Sequence, residues 1–185
     1  SISGISTALV AGATRTATGV VFDGVDGHAD LALSTTIVGG PMTIEGVLKW
    51  NAFLANSRLF ECNSGDLGPN RFYIKNDGTT GKLRCGVLKG GVDKAVFSPT
   101  STDLVVGIYY HIVVTVSGAT MSLYINGLNV GVNSAGWEPT AMIRSHCAIG
   151  GVVHRLSGEV SSLKIYSGAM TQAQVTAAYR ALNLT

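Results

Sequence analysis

Residues 109–131 read "YYHIVVTVSGATMSLYINGLNVG", and this stretch decides the fold. Tyr109 to Val116 is a β-branched and aromatic run, closed by the turn residues of "SGAT". Thr120 to Ile125 is a second run, and Asn126-Gly127 reverses the chain into a third, Leu128 to Val132. Asn and Gly both accept the positive φ of a type I′ turn, so the stretch predicts three antiparallel strands in succession.

The same texture extends outward in both directions from residue 19. Runs of about five to nine residues suit an antiparallel sandwich better than a parallel sheet with crossover helices. Upstream, strands are predicted over Gly19 to Phe22, His28 to Leu33, Met42 to Trp50, Arg58 to Asn63, Arg71 to Lys75, Lys82 to Lys89 and Lys94 to Ser98. Downstream they cover Cys147 to Ile149 and Gly158 to Tyr166. One segment reads as a helix. In "MTQAQVTAAYRALN", Val175, Ala178, Tyr179 and Leu182 recur at helical spacing and draw an apolar stripe for docking on the sandwich. Thr171 is the predicted N-cap, Gln174 completes a capping box, and Met170 can staple against Val175. Residues 1–18 are small and weakly patterned, a lead-in or loosely added edge strand, which leaves 19–185 as one domain.

Composition agrees with a turn-rich sheet protein. Charged residues make up 13% of the chain, apolar residues 46%, and 24 of 185 residues are Gly. A net charge of +2, spread over isolated residues, offers no basic stripe for a phosphate backbone, so nucleic acid is not an expected partner. No apolar run approaches the roughly 20 residues of a transmembrane helix. The chain opens on Ser1 rather than Met, which fits a processed or excerpted segment. Cys62, Cys85 and Cys147 lack the spacing of a zinc or redox motif. They read as small core residues, with room for one disulfide and at least one thiol left over.

Together, "VVFDGVDGHADL", "MTIEGVLKW", the 109–131 stretch, "AIGG" and "LSGEVSSLKIYSGAMTQAQVTAAY" resemble the laminin G-like jelly roll of the concanavalin A-like lectin and glucanase superfamily. The resemblance covers about residues 19 to 183. It implies an all-β, antiparallel two-sheet β-sandwich with rim loops and a short C-terminal helix. The wording "FDGVDGHADL" with "GWEPT" looks most like such domains in extracellular and envelope proteins of marine algae and related eukaryotes. That likeness implies an extracellular or lumenal setting, in the secretory path or an organelle. The departures matter as well. Val47 stands where the family commonly has Trp, and Tyr109, Tyr110 and His111 where it often reads Trp-His-His. Ser161 and Ser162 replace the Asp residues often found before the apolar half of the last strand, which weakens any calcium site that would use them.

Candidate sites follow from chemistry. Asp23, Asp26 and Asp30 crowd one stretch, and calcium favours clustered carboxylates. Asp-Gly pairs at 23–24 and 26–27 are turn formers, however, and turn chemistry is the favoured reading. Asp30 belongs to the following strand, so a metal would take Asp23 and Asp26. Calcium is the one cofactor the sequence suggests, and it is not required. Asp66 and Asn70, in "NSGDLGPN", form a second rim candidate, read chiefly as a solvated turn. Glycoside hydrolysis needs two carboxyl groups about 5 to 9.5 Å apart. Glu45 and Glu61 are each alone in their strands and read as partners of cations such as Lys49 and Arg58, which disfavours an enzyme. His111 reads as a hydrogen-bonded structural residue. Trp137, loop-borne in "SAGWEPT", would stack on a sugar if exposed and would anchor its loop if folded inward.

The expectation is therefore a non-catalytic module that recognises a glycan or a protein partner through rim loops. Its candidate contacts are Trp137, Asn70, Asp66 and Arg144. A structural subunit packed within a larger assembly is the alternative, and a glycoside hydrolase the third.

Overall fold

The computed structural model describes residues 7–32, 37–64, 70–144 and 146–183. In chain order the strands are β1 (Thr7–Val10), β2 (Ala13–Arg15), β3 (Val20–Asp23), β4 (His28–Leu31), β5 (Ile37–Val38), β6 (Met42–Ala52), β7 (Arg58–Asn63) and β8 (Arg71–Asn76). They continue as β9 (Leu83–Lys89), β10 (Val92–Phe97), β11 (Tyr110–Ser117), β12 (Thr120–Ile125), β13 (Leu128–Asn133), β14 (Met142–Ile143), β15 (His146–Ile149) and β16 (Ser157–Ser167). Helix α1 (Gln172–Ala181) follows.

Two seven-stranded antiparallel sheets form the jelly-roll sandwich. The first has the order β1-β4-β15-β7-β8-β9-β10 and the second β13-β12-β11-β6-β16-β3-β2. β11, β12 and β13 pair in succession as the Asn126-Gly127 turn requires, with φ of +49° and +79° at the two turn residues. Each predicted strand has a counterpart. β1, β2, β5 and β14 are additional, and all are four residues or shorter. β1 and β2 lie at sheet edges, where a strand packs on one neighbour and shows little alternation.

Alternation elsewhere sorts the side chains cleanly. Phe60, Cys62, Phe72, Ile74, Leu83, Cys85 and Val87 of the first sheet meet Ile44, Leu48, Trp50, Ile112, Val114, Met121 and Leu123 of the second in one core. Trp50 has a polar atom there, and it is satisfied: Nε1 donates to Ser57 Oγ at 3.2 Å, which donates to Asn76 Oδ1 at 2.6 Å. Cys62 and Cys147 face each other across the β7–β15 register and form a disulfide, while Cys85 is a buried free thiol.

Helix α1 begins as the sequence predicts. Thr171 accepts from the Gln174 N–H and the Gln174 side chain accepts from the Thr171 N–H. Val175, Met170, Val113 and Tyr124 form a small second cluster, so the helix lies on the outer face of the second sheet. No helix among the described residues is long and apolar enough to cross a membrane.

Candidate functional site

The aspartate-bearing segment from Asp23 to Asp30 includes the crossing between the two sheets. Asp23 ends β3 of the second sheet, and Asp30 lies in β4 of the first, so the three aspartates do not converge. Asp23 Oδ1 accepts from the N–H groups of Val25 at 2.9 Å, Asp26 at 3.2 Å and Gly27 at 3.0 Å. Those bonds, that from Val25 first, hold its carboxyl below the usual range. Asp26 Oδ1 accepts from the Gly12 N–H at 3.0 Å and so ties the β1–β2 turn to the crossing. Asp30 sits 3.5 Å from His28 Nε2. The geometry at Asp23 is that of a side-chain-closed turn. Among the described residues, no three His, Cys, Asp or Glu side chains gather as a metal group.

The rim candidates fare unevenly. Asp66 lies outside the described residues. Arg144 was expected as an accessible contact and is instead 2% exposed. Its guanidinium donates to the carbonyls of Asn70 at 2.9 Å and Thr140 at 2.8 Å, so it serves to join two loops. Asn70 and Arg144 are thus brought together, through backbone. Trp137 takes the anchoring alternative: its half-buried ring packs against the core, with Lys94 Nζ 5.6 Å from the ring centroid.

Glu45 and Glu61 lie on different sheets. Glu45 faces outward from the second, where His111 Nε2 lies 3.3 Å away, Tyr166 donates its hydroxyl at 2.6 Å and Lys164 Nζ stands at 3.6 Å. The hydrogen bond with His111, ahead of those other groups and against the effect of burial, holds Glu45 at about 2. Lys49, expected opposite Glu45 or Glu61, instead pairs with Glu159 of β16 at 3.3 Å. Arg58 does pair with Glu61, both buried.

The densest chemistry is on the outer face of the first sheet, and no sequence motif announced it. Register builds it in three rungs. His146, Asn63, Arg71 and Leu88 form one; Asp30, Ala148, Glu61, Tyr73 and Gly86 the next; Arg58, Lys75 and Arg84 the third. Phe72 and Ile74 point into the core, so Arg71, Tyr73 and Lys75 on the same strand point out. Tyr73 lies at the centre beside Gly86, where a Cβ would come 2.3 Å from the Tyr73 hydroxyl. That hydroxyl donates to Asp93 at 2.6 Å, and Arg84 reaches the same carboxylate oxygen at 2.5 Å. Around the Tyr73 ring stand Arg58 and Arg71, each 5.9 Å from its centroid, and Lys75 at 5.6 Å. Glu61 accepts from Arg58 and from the Val152 N–H at 3.0 Å.

Three cations thus surround the Tyr73 ring, and Arg84 beside them is engaged by Asp93 and, at 3.8 Å, by Asp77. Burial first, then Arg71, pulls Arg58 down to about 10. Burial, then Arg84 and Arg58, lowers Lys75. Burial alone would lower Arg84 as well, but the neighbouring Tyr73 and Asp93 outweigh it. Several buried polar atoms here have no hydrogen-bond partner: Nε of Arg58, Arg71 and Arg84, Oδ1 of Asn63 and Asp93, and Nε2 of His146. Such atoms are costly unless something supplies the missing bonds.

Comparison with known proteins places this geometry in context. No curated protein sequence matches the chain. Among solved structures, domain 4 of AbnA, a GH43 extracellular arabinanase from Geobacillus stearothermophilus solved with arabinotriose, is similar at 18% identity and a TM-score of 0.69, over 94% of this chain and 81% of that one. A heptameric SAP-like pentraxin from Limulus polyphemus is similar at 20% identity and a TM-score of 0.63, over 90% and 84%. Trypanosoma rangeli sialidase is similar at 20% identity and a TM-score of 0.70, over 97% of this chain and 30% of the sialidase. These likenesses establish the fold. The family model Laminin_G_3 matches residues 23–176, and the chain accordingly belongs to that family of the concanavalin A-like lectin/glucanases superfamily.

Proposed function

We propose that the chain is a non-catalytic recognition module that takes a saccharide on the outer face of the first sheet, around Tyr73. The observation that carries this reading is the set of buried, unpartnered polar atoms on that face, above all Arg58 Nε and Asn63 Oδ1. Arg58 is 4% exposed and Asn63 2%, and a hydroxyl-rich ligand offers both the acceptors and the donors these atoms lack. The arabinotriose complex of the arabinanase domain supports a sugar as the class of ligand. Glu45 and Glu61 stand on the outer faces of two stacked sheets, and Glu61 is engaged by Arg58 and Val152, which supports binding rather than hydrolysis. The Cys62–Cys147 disulfide supports an extracellular or lumenal setting.

A glycan array run in chelator tests the reading. The expected result is saturable binding of one saccharide class, lost in Asn63→Leu with the melting temperature kept within a few degrees. Silence on the array, together with stable co-purification in an assembly, would favour the structural-subunit reading. That second reading has its own observation. Val105, Val106 and Ile108 are exposed at 58%, 46% and 52% on one loop, an apolar surface suited to a protein partner.

A further inference from the structure

We propose that His28 is a clamp that acid opens. Neutral, it accepts from Arg155 and ties the loop of residues 150–156 to the crossing between the sheets; protonated, it lets that loop go. The loop borders the Tyr73 face, where the Val152 N–H donates to Glu61, and the clamp works whatever that face binds.

Ala29 and Leu31 of β4 point into the core, so His28 and Asp30 point outward, and His28 is 8% exposed. Arg155 Nη1 lies 2.8 Å from His28 Nδ1 and 2.8 Å from the Gly151 carbonyl oxygen. A guanidinium can only donate, so Nδ1 accepts and the ring hydrogen is on Nε2, which faces Asp30 Oδ1 at 3.5 Å. Histidine is the side chain whose charge changes between about pH 5 and pH 8. A proton taken from solvent onto Nδ1 removes the acceptor and sets two cations against each other, which expels Arg155. The imidazolium has partners of its own. The Asp26 carbonyl oxygen stands 3.3 Å from Nδ1, and the Asp30 carboxylate then faces a full positive charge. Two hydrogen-bonding arrangements are thus built around one ring, and only the neutral one holds Arg155. Once expelled, Arg155 keeps the Gly151 carbonyl, a bond inside its own loop. The surrounding groups do not take over the tie. Asp23 closes its own turn, Asp26 Oδ1 holds the Gly12 N–H, and Glu61 is engaged by Arg58. Val10 of β1 lies opposite His28, and β15 meets β4 through Ala148 and Ile149, so the paired residues of both neighbouring strands are uncharged. His154 is the other histidine of the loop, and burial first, then Arg58 and Lys75, disfavours its charged form.

Hydrogen–deuterium exchange between pH 8 and pH 5 tests this, corrected for the intrinsic effect of pH. The amides to follow are Val152, which donates to Glu61, and Leu156, which donates to the Gly150 carbonyl at 2.9 Å, with the β11 amides as reference. In the wild type the protection of both loop amides should fall at least about tenfold in acid while β11 holds, as expected for a lost charge-assisted hydrogen bond. His28→Gln keeps an acceptor for Arg155 and takes up no proton, so its loop should stay protected at both pH values. Arg155→Gln should leave the loop at the acid level of the wild type throughout, and this variant decides the matter if the nearly buried His28 position tolerates no change. Nitrogen NMR of the His28 ring at pH 8 should show its hydrogen on Nε2. A hydrogen on Nδ1, or a wild-type loop equally protected at both pH values, would overturn the clamp. So would an acid response that survives in His28→Gln or Arg155→Gln, which would move the response to another group such as His154.

Discussion

His111 and Tyr179 lie ring against ring, 5.8 Å between centroids and 22° between planes, so the terminal helix rests on a residue that also faces Glu45. The contact joins a β11 side chain with no exposed surface to the last third of α1. Gln172 and Thr176 add hydrogen bonds to the Gly127 carbonyl at 2.7 and 3.1 Å, which pins the helix over the β12–β13 turn. Removal of residues 171–185 should therefore expose Val113, Tyr124 and His111, lower the melting temperature and promote aggregation. The milder Val175→Ala should cost about 1.5–3 kcal/mol in urea unfolding, since Val175 has no exposed surface and its truncation leaves a cavity. A truncated protein that stayed monomeric with the same melting point would show that the helix serves another purpose.

Acid stability should depend on Glu45. Its carboxyl falls from an ordinary value of 4.5 to about 2 in the folded chain, with the His111 hydrogen bond the leading cause. A depressed carboxylate stabilises the fold fully above its unfolded pKa, and that contribution disappears as pH falls through the folded one. Urea midpoints should thus decline between about pH 5 and pH 2 in the wild type, and Glu45→Gln should flatten that decline. An unchanged slope in the variant would mean that other carboxylates carry the acid sensitivity.

The strands β3, β4, β6 to β13, β15 and β16, the capping box and the Asn126-Gly127 turn were legible because each is a local signal, whereas β1, β2, β5 and β14, four residues or shorter, were not. Thr171 and Gln174, for instance, satisfy each other within one helical turn. The face around Tyr73 was not legible, because it exists only through register. Arg58, Arg71 and Arg84 come from three strands, and nothing in their separate segments announces that β7, β8 and β9 align them. Arg144 misled for a related reason. A loop arginine looks available in sequence, while its burial depends on where Asn70 and Thr140 end up. Glu159 escaped notice as the partner of Lys49 because the pair spans 110 residues and meets across β6 and β16.

The thiols should behave as two classes. Cys85 has no exposed surface, and burial pushes its pKa far up, so it should resist alkylation in the native state and react after denaturation. Cys62 and Cys147 should show no free thiol until reduced. Because the bridge closes 85 residues of chain, replacing both by Ala should cost about 2–5 kcal/mol. Two or more alkylated cysteines in the unreduced, denatured protein would contradict the pairing.

The crossing at residues 23–27 permits a test that separates a turn from a metal loop. Asp23→Asn retains an oxygen that can accept from Val25, Asp26 and Gly27, so it should cause the smaller loss of stability. Gly24 has φ +80°, and a Cβ there would come 2.8 Å from both Leu54 Cδ1 and Ser157 Cβ. Gly24→Val therefore combines a backbone angle that β-branched residues avoid with contacts that must shift, and should cost more than about 1 kcal/mol. Thermal melts in chelator and in millimolar calcium should give the same order, Gly24→Val below Asp23→Asn, and calcium should leave the wild-type melting point nearly unchanged. Binding at a hundred times the dissociation constant would stabilise by about 2.7 kcal/mol, which a melt readily detects. If calcium raised the wild-type melting point by many degrees and Asp23→Asn abolished the rise, the Asp23 carboxylate would be a metal ligand and the turn geometry its scaffold.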